Sequence, residues 1–195
     1  DIPAILSYTK DFYLLNDQEY AVITRENITF YDEQLHPFEK KYQRIDWDAT
    51  AAEKNGYPDF MLKEMYEQPS TVRETIGTRV TAGAPTQVDG LDFTEAQLQN
   101  LHQIYIIGCG TAMHAGLAAK PMFEHLTHIP TQVDVASEFR YRDPLVDDRT
   151  LCIFISQSGE TADTIAALRL AKAAGAATLA VSNVIGSSIT READY

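Results

Sequence analysis

The chain has 195 residues, of which 45% are hydrophobic, 10% aromatic and 23% charged, with ten Gly and eight Pro; this is a globular composition, long enough for one domain and part of another. It excludes collagen-like and disordered chains, and no apolar run approaches the roughly 18 residues of a membrane span. Sixteen Lys and Arg face 28 Asp and Glu, a net charge of −12, so a basic footprint for nucleic acid or anionic lipid is missing and an anionic ligand must be held locally by amides and hydroxyls.

From Asp1 to about Ile45, the runs Phe12-Tyr13-Leu14-Leu15, Tyr20-Ala21-Val22-Ile23 and Ile28-Thr29-Phe30-Tyr31 alternate with polar stretches, which predicts an antiparallel meander. So short a meander buries little apolar surface, and its sheet is expected to belong to a larger domain. Asp1-Ile2-Pro3 does not resemble a natural start, so the chain is expected to begin inside a longer protein. Asp46 to Pro58 is polar and contains Gly56, as a linker would. Phe60, Met61, Met65 and Tyr66 recur at helical spacing, and Pro69 is placed to open a second helix through Val72, Ile76 and Val80. Thr81 to Asp89 is expected to be a loop.

Beyond it the pattern changes. Ile104 to Ile107 is an apolar strand ending at Gly108-Cys109-Gly110, followed by a helix from about Ala112 to His125 and a strand from Gln132 to Val135. Leu151 to Ile155 is a further strand, then Ser156-Gln157-Ser158-Gly159 turns into a helix from about Thr161 to Ala174, and Ala177 to Val181 returns as a strand. Apolar strands interleaved with helices specify an α/β fold, a mostly parallel sheet covered on both faces. Cys109 and Cys152, each within or just after an apolar run, suit small buried residues in a reducing compartment rather than a disulfide pair.

The segment Ser156-Gln157-Ser158-Gly159-Glu160-Thr161 joins a strand end to a helix N-terminus, where ligands of open parallel sheets bind. Free backbone N–H groups there hold a phosphate without any Lys or Arg, and Ser156, Ser158 and Thr161 add hydroxyl donors. The alternative is that these hydroxyls only cap the helix. Gly108-Cys109-Gly110-Thr111 is a second strand-to-helix turn. Met113 occupies the third glycine position of a dinucleotide fingerprint, so the turn either lets its helix lie close to the strand or forms the opposite wall of the same pocket. His125 and His128 precede Pro130 with no accompanying Cys and predict no metal site. His114 could face the pocket but suits a surface position better. Glu138 and Arg140 are expected in an internal ion pair or an interface, Asp143, Asp147 and Asp148 in a solvated loop, and Cys109 has no base partner that would make it a nucleophile.

Together, Ser156 to Thr164, Gly108-Cys109-Gly110-Thr111 and Ala136-Ser137-Glu138-Phe139-Arg140-Tyr141 resemble the sugar isomerase (SIS) domain family, and within it the first SIS domain of the glutamine–fructose-6-phosphate aminotransferases. Phe60 to Pro69 looks like the segment that opens the isomerase half of those enzymes, and the meander like the tail of their glutaminase half. The resemblance implies a three-layer αβα SIS domain over 60–195, a linker over 49–59 and a glutaminase tail over 1–48. It implies fructose 6-phosphate, glucosamine 6-phosphate and glutamine as ligands of the intact enzyme, a cytoplasmic homodimer, and no redox or metal cofactor. Ser156, Gln157, Ser158 and Thr161 match the family's phosphate-binding positions and Thr111 a sugar-contacting one, whereas the usual Ser of the next position is Ala112. The family's glutaminase nucleophile is an N-terminal Cys, whereas this chain starts with Asp1, and its catalytic Lys, Glu and His would follow Tyr195, so the chain alone is expected to be inactive. Two other readings are a sugar-phosphate sensor, which would need an effector module such as a helix-turn-helix, and a fructosamine-phosphate deglycase or isomerase, which would not carry the β-rich residues 1–45.

Overall fold

A computed structural model of the chain describes residues 5, 8–44, 54–77, 79, 88 and 90–195. The chain divides into two compact units, 1–78 and 79–195. Most of the expected linker, Val80 and nearly all of the expected 81–89 loop lie outside the described residues.

In the first unit, β2 (Tyr20–Ile23), β3 (Ile28–Tyr31) and β4 (Pro37–Phe38) form an antiparallel meander with Tyr20 opposite Tyr31 and Phe30 opposite Phe38. Local side chains set its turns. Thr24 Oγ1 accepts from the N–H of Asn27 at 3.0 Å, and Asp32 Oδ1 accepts from Gln34 and His36 at 3.0 and 2.8 Å. The expected first strand is shorter and goes elsewhere: β1 (Asp11–Phe12) pairs antiparallel with β5 (Gln43–Arg44), closed by Arg44 to Asp11 at 3.1 Å. Phe12 and Phe30 are the buried hydrophobics of this unit among the described residues, and Tyr13 leans on Phe30 at 4.8 Å.

The two helices expected around Pro69 are one, α1 (Phe60–Gly77). Proline forfeits one backbone bond inside a helix; the helix runs on, and Ser70 Oγ donates to the Glu67 carbonyl at 2.8 Å just beyond the break.

The second unit carries the parallel sheet: β6 (Gln103–Gly108), β7 (Thr131–Val135), β8 (Thr150–Ser156) and β9 (Ala177–Ser182), in the order β7-β6-β8-β9. Gly108 lies opposite Val135 on one side and Ile155 on the other, and Ser156 opposite Ser182. The helices are α2 (Glu95–Asn100), α3 (Thr111–Thr127), α4 (Ala136–Phe139), α5 (Ala162–Ala173) and α6 (Ser188–Glu192). Alternation splits the strands between two cores. Tyr105, Ile107, Cys152 and Phe154 meet Phe139, Ala167, Leu168, Ala171 and Ile189 of α4, α5 and α6. Ile104, Ile106, Leu151 and Ile153 meet Phe93, Leu101, Ala119 and Phe123 on the other face, beside α2 and α3. This is the expected three-layer α/β arrangement. Of the helices not foreseen, α2 starts on a capping box, in which Thr94 Oγ1 accepts from the N–H of Gln97 at 3.2 Å and Gln97 Oε1 from that of Thr94 at 2.9 Å.

Candidate functional site

The order β7-β6-β8-β9 sets the place of the site. From β6 the chain crosses through α3 to β7 on one side, and from β8 through α5 to β9 on the other, so the connections diverge between β6 and β8. The crevice beyond the carboxyl ends of these two strands is the topological switch point. Both candidate turns open onto it, residues 108–111 from β6 and 156–161 from β8.

Ser156 closes β8 and is buried at 4% exposure. Its Oγ accepts the N–H of Gly159 at 3.0 Å and lies 3.4 Å from Thr161 Oγ1. Ser158 Oγ accepts the N–H of Glu160 at 3.2 Å. Each serine oxygen thus organises the turn as an acceptor; Ser158 keeps its proton to donate, and one of the Ser156 and Thr161 hydroxyls donates to the other. Thr161 is the N-cap residue of α5, with extended backbone at φ −67° and ψ 114°, but its hydroxyl makes no capping bond. The first backbone bond of α5 runs from the N–H of Ile165 to the Thr161 carbonyl, so the N–H groups of Ala162, Asp163 and Thr164 have no intrahelical acceptor and point back toward the crevice. The structure therefore brings Ser156, Ser158 and Thr161 around one helix N-terminus. Gln157 follows directly after β8 with its side chain exposed, and its carbonyl accepts from Asn183 at 3.2 Å.

On the other wall Thr111 is the first residue of α3, exposed, behind Gly110, which makes no side-chain cap. The close-approach reading of this turn also holds, since a Cβ on Gly108 would meet Met113 N at 3.0 Å and the Ile155 carbonyl at 3.1 Å. The two walls touch through Cys109 Sγ, 3.8 Å from Thr164 Oγ1 in the first turn of α5. Cys109 is half-buried and Cys152 fully buried, and both are free thiols. Burial pushes the Cys152 thiol up to about 12 and raises Tyr105 beside it, so neither supplies a charge beneath the site at neutral pH.

The acidic residues of the loop have their own partners. Glu160 accepts from the backbone N–H of Ser188 at 2.8 Å and from Ser188 Oγ at 2.7 Å. Asp163 takes a hydrogen bond from Arg140 Nη1 at 2.8 Å. Arg140 was expected to pair with Glu138 or an interface; its partner is Asp163 because α4 packs beside α5 over the same face of the sheet. Asp143, Asp147 and Asp148 are exposed in the loop before β8, as expected, and Asp147 also orders its turn by accepting from Arg149 N–H at 3.0 Å and Thr150 Oγ1 at 2.9 Å. His114, His125 and His128 are exposed, and among the described residues no group of three or more His, Cys, Asp or Glu could hold a metal ion. No helix of the described residues is long and apolar enough to cross a membrane.

Sequence reasoning missed the rear wall. Gly159 stands at φ 69° against Ser187, whose Oγ a Cβ there would meet at 2.1 Å. Ser187 is 3% exposed and forms a hydroxyl chain with Ser182 at 3.4 Å and Thr190 at 3.3 Å. Its signal was the Gly186-Ser187-Ser188 run between β9 and the start of α6, a second glycine-serine turn after a strand.

Known proteins bear on this geometry. The glutamine–fructose-6-phosphate aminotransferase (isomerizing) of Clostridium acetobutylicum is 52% identical over 194 residues, all of this chain and 32% of that protein. Its counterpart in Clostridium perfringens is 50% identical over the same extent. The chain thus spans about a third of the length of the curated relatives it matches. The solved C-terminal domain of glucosamine-fructose-6-phosphate aminotransferase from Francisella tularensis is 40% identical with a TM-score of 0.63, covering 73% of this chain and 39% of that one. The SIS domain profile matches residues 97–195, which takes in the parallel sheet, both candidate turns and the serine-rich rear wall, and the chain belongs to the SIS domain family.

Proposed function

We propose that the crevice between β6 and β8 binds the phosphate of a sugar phosphate, with Ser156, Gln157, Ser158 and Thr161 around the phosphate and Thr111 on the facing wall against the sugar. The observation that carries this is the start of α5, where the N-cap threonine keeps its hydroxyl out of the cap and the first-turn N–H groups lack acceptors. Neutral donors and the helix field then hold the anion in a chain of net charge −12.

The relatives extend the reading to the whole protein. It is a glutamine–fructose-6-phosphate aminotransferase that releases ammonia from glutamine and makes glucosamine 6-phosphate from fructose 6-phosphate, cytoplasmic and homodimeric. Residues 1–48 are then the end of its glutaminase domain, 49–59 a linker and 60–195 its first SIS domain. Ala112, where the family usually has Ser, removes one hydroxyl from the sugar wall.

The test is fructose 6-phosphate binding by the full-length protein carrying Ser158→Ala or Thr161→Val. Losing one hydrogen bond to a charged group weakens binding by about 1.5–3 kcal/mol, roughly ten- to 150-fold. Unchanged affinity in both variants would remove the phosphate assignment, and a fall in thermal stability alone would return the hydroxyls to a capping role.

A further inference from the structure

We propose that Glu160 is a positioning residue for the anion site, clamping the 156–161 turn onto α6 and holding its donors in place although it carries the same sign of charge as the ligand. The inference rests on the phosphate reading above and adds a residue that touches no ligand atom.

Four hydrogen bonds join the turn to the segment after β9. The Gln157 carbonyl accepts from Asn183 at 3.2 Å, the Gly159 carbonyl accepts from Ile189 at 3.0 Å, and Glu160 takes both donors of Ser188 at 2.8 and 2.7 Å. The first two are backbone bonds, so Glu160 supplies the side-chain tie. It also does for α6 what that helix's own N-cap does not, since Ser187 makes no side-chain capping bond. Beneath the tie Gly159 lies against buried Ser187 with no room for a Cβ. The turn is therefore seated on a surface that fits it closely, and Glu160 is the latch at its outer edge. The N–H of Glu160 itself binds Ser158 Oγ at 3.2 Å, so the residue that grips α6 also orients a phosphate-binding serine. With the carboxylate engaged by Ser188, its charge is met by donors on the side away from the crevice.

Charge and clamp predict opposite signs. If Glu160 acted on a phosphate only through its charge, removing that charge would tighten binding. If it acts as a latch, Glu160→Ala weakens inorganic phosphate and fructose 6-phosphate alike, by roughly five- to 30-fold, less than the loss of a direct bond to the ligand because the tie acts only through the turn. Glu160→Gln, which keeps one acceptor oxygen, falls between Glu160→Ala and the parent. Ser188→Ala weakens binding less than Glu160→Ala, and the double variant is no weaker than Glu160→Ala alone, because both remove the same tie.

The experiment is calorimetric titration of the full-length protein and these variants with each ligand, alongside thermal melts and the Ser158→Ala and Thr161→Val variants. Weakening in the order stated supports the clamp. Unchanged or tighter binding in Glu160→Ala and Glu160→Gln overturns it, and so does a lowered melting temperature with unchanged affinity. Should Glu160→Ala not fold, Ser188→Ala and Glu160→Gln decide the matter by the same criteria. If Ser158→Ala and Thr161→Val bind as the parent does, the phosphate reading itself has failed; if they weaken and the Glu160 variants do not, only the clamp has.

Discussion

Gly159 is the position in the site turn with least freedom to change. Its φ of 69° lies where side chains are rare, and an added Cβ would sit 2.1 Å from Ser187 Oγ and 2.5 Å from Ser187 Cβ. Gly159→Ala is expected to destabilise the protein by about 1–3 kcal/mol or more, combining backbone strain with overpacking; a urea midpoint unchanged from the parent would show that the turn can lift away. Cys152 offers a second check at this scale. Its thiol is fully buried and pushed up to about 12, so mass mapping after alkylation at neutral pH is expected to find Cys152 unmodified until denaturant is added, since the thiolate is the reactive form. Modification at the rate of a free thiol would contradict this burial. The sequence made the three hydroxyls legible because they crowd one strand-to-helix turn. It hid Ser182, Ser187 and Ser188, whose approach depends on β9 lying beside β8 in the sheet.

At the scale of elements, what could be read depended on how strongly each segment's own pattern constrained it. β6 and β8 are apolar runs buried on both faces, β9 is an apolar run at the sheet edge, and α3 and α5 are long enough to show their period; all five fall within two residues of expectation at each end. The short helices α4 and α6 are four and five residues, too short for periodicity to register. α2 was missed although its Thr94-x-x-Gln97 signature is present in the sequence. Thr94→Ala is expected to lower stability by about 0.5–2 kcal/mol through loss of that cap, read in a denaturant titration; no change would mean that contacts of Phe93 and Leu101 alone hold the helix. The single helix α1 shows the limit of proline as punctuation, because Pro69 obstructs only the turn before it and the chain on either side favours helix. The first strand was misplaced for another reason: β1 pairs with β5, some thirty residues away, and local alternation does not encode so distant a partner.

At the scale of the molecule, acid sensitivity follows from four carboxylates held below their ordinary values. Hydrogen bonds from Lys40 and from the Asn16 backbone bring Glu19 from 4.5 to about 2. Asp147 is lowered first by the Arg149 backbone N–H and Glu192 by Arg169; at Asp194 burial acts upward, but bonds from Lys172 and Thr178 prevail. Groups with depressed folded values contribute fully above about pH 4.5 and lose that contribution as pH falls toward 2. Melting temperature is therefore expected to be level near neutrality and to decline below about pH 4.5; a flat profile down to pH 3 would contradict these pairings. Hydrogen exchange on the 195-residue chain by itself is expected to find residues 8–44 less protected than 103–182, since few side chains of the small sheets are buried while both faces of the parallel sheet are covered.

The strand order has a thermodynamic consequence as well as a geometric one. The pair that frames the crevice, β6 and β8, joins segments that are not neighbours in the chain, Gln103 lying opposite Thr150. The loop between them, β7 and α4 included, must close before the crevice exists at all. Ligand recognition is thereby linked to formation of the whole sheet. A bound phosphate at a hundred times its dissociation constant would add about 2.7 kcal/mol to folding, and slowed exchange is expected to reach Ile106 and Ile153 in the centre of the sheet as well as the turn at Ser158.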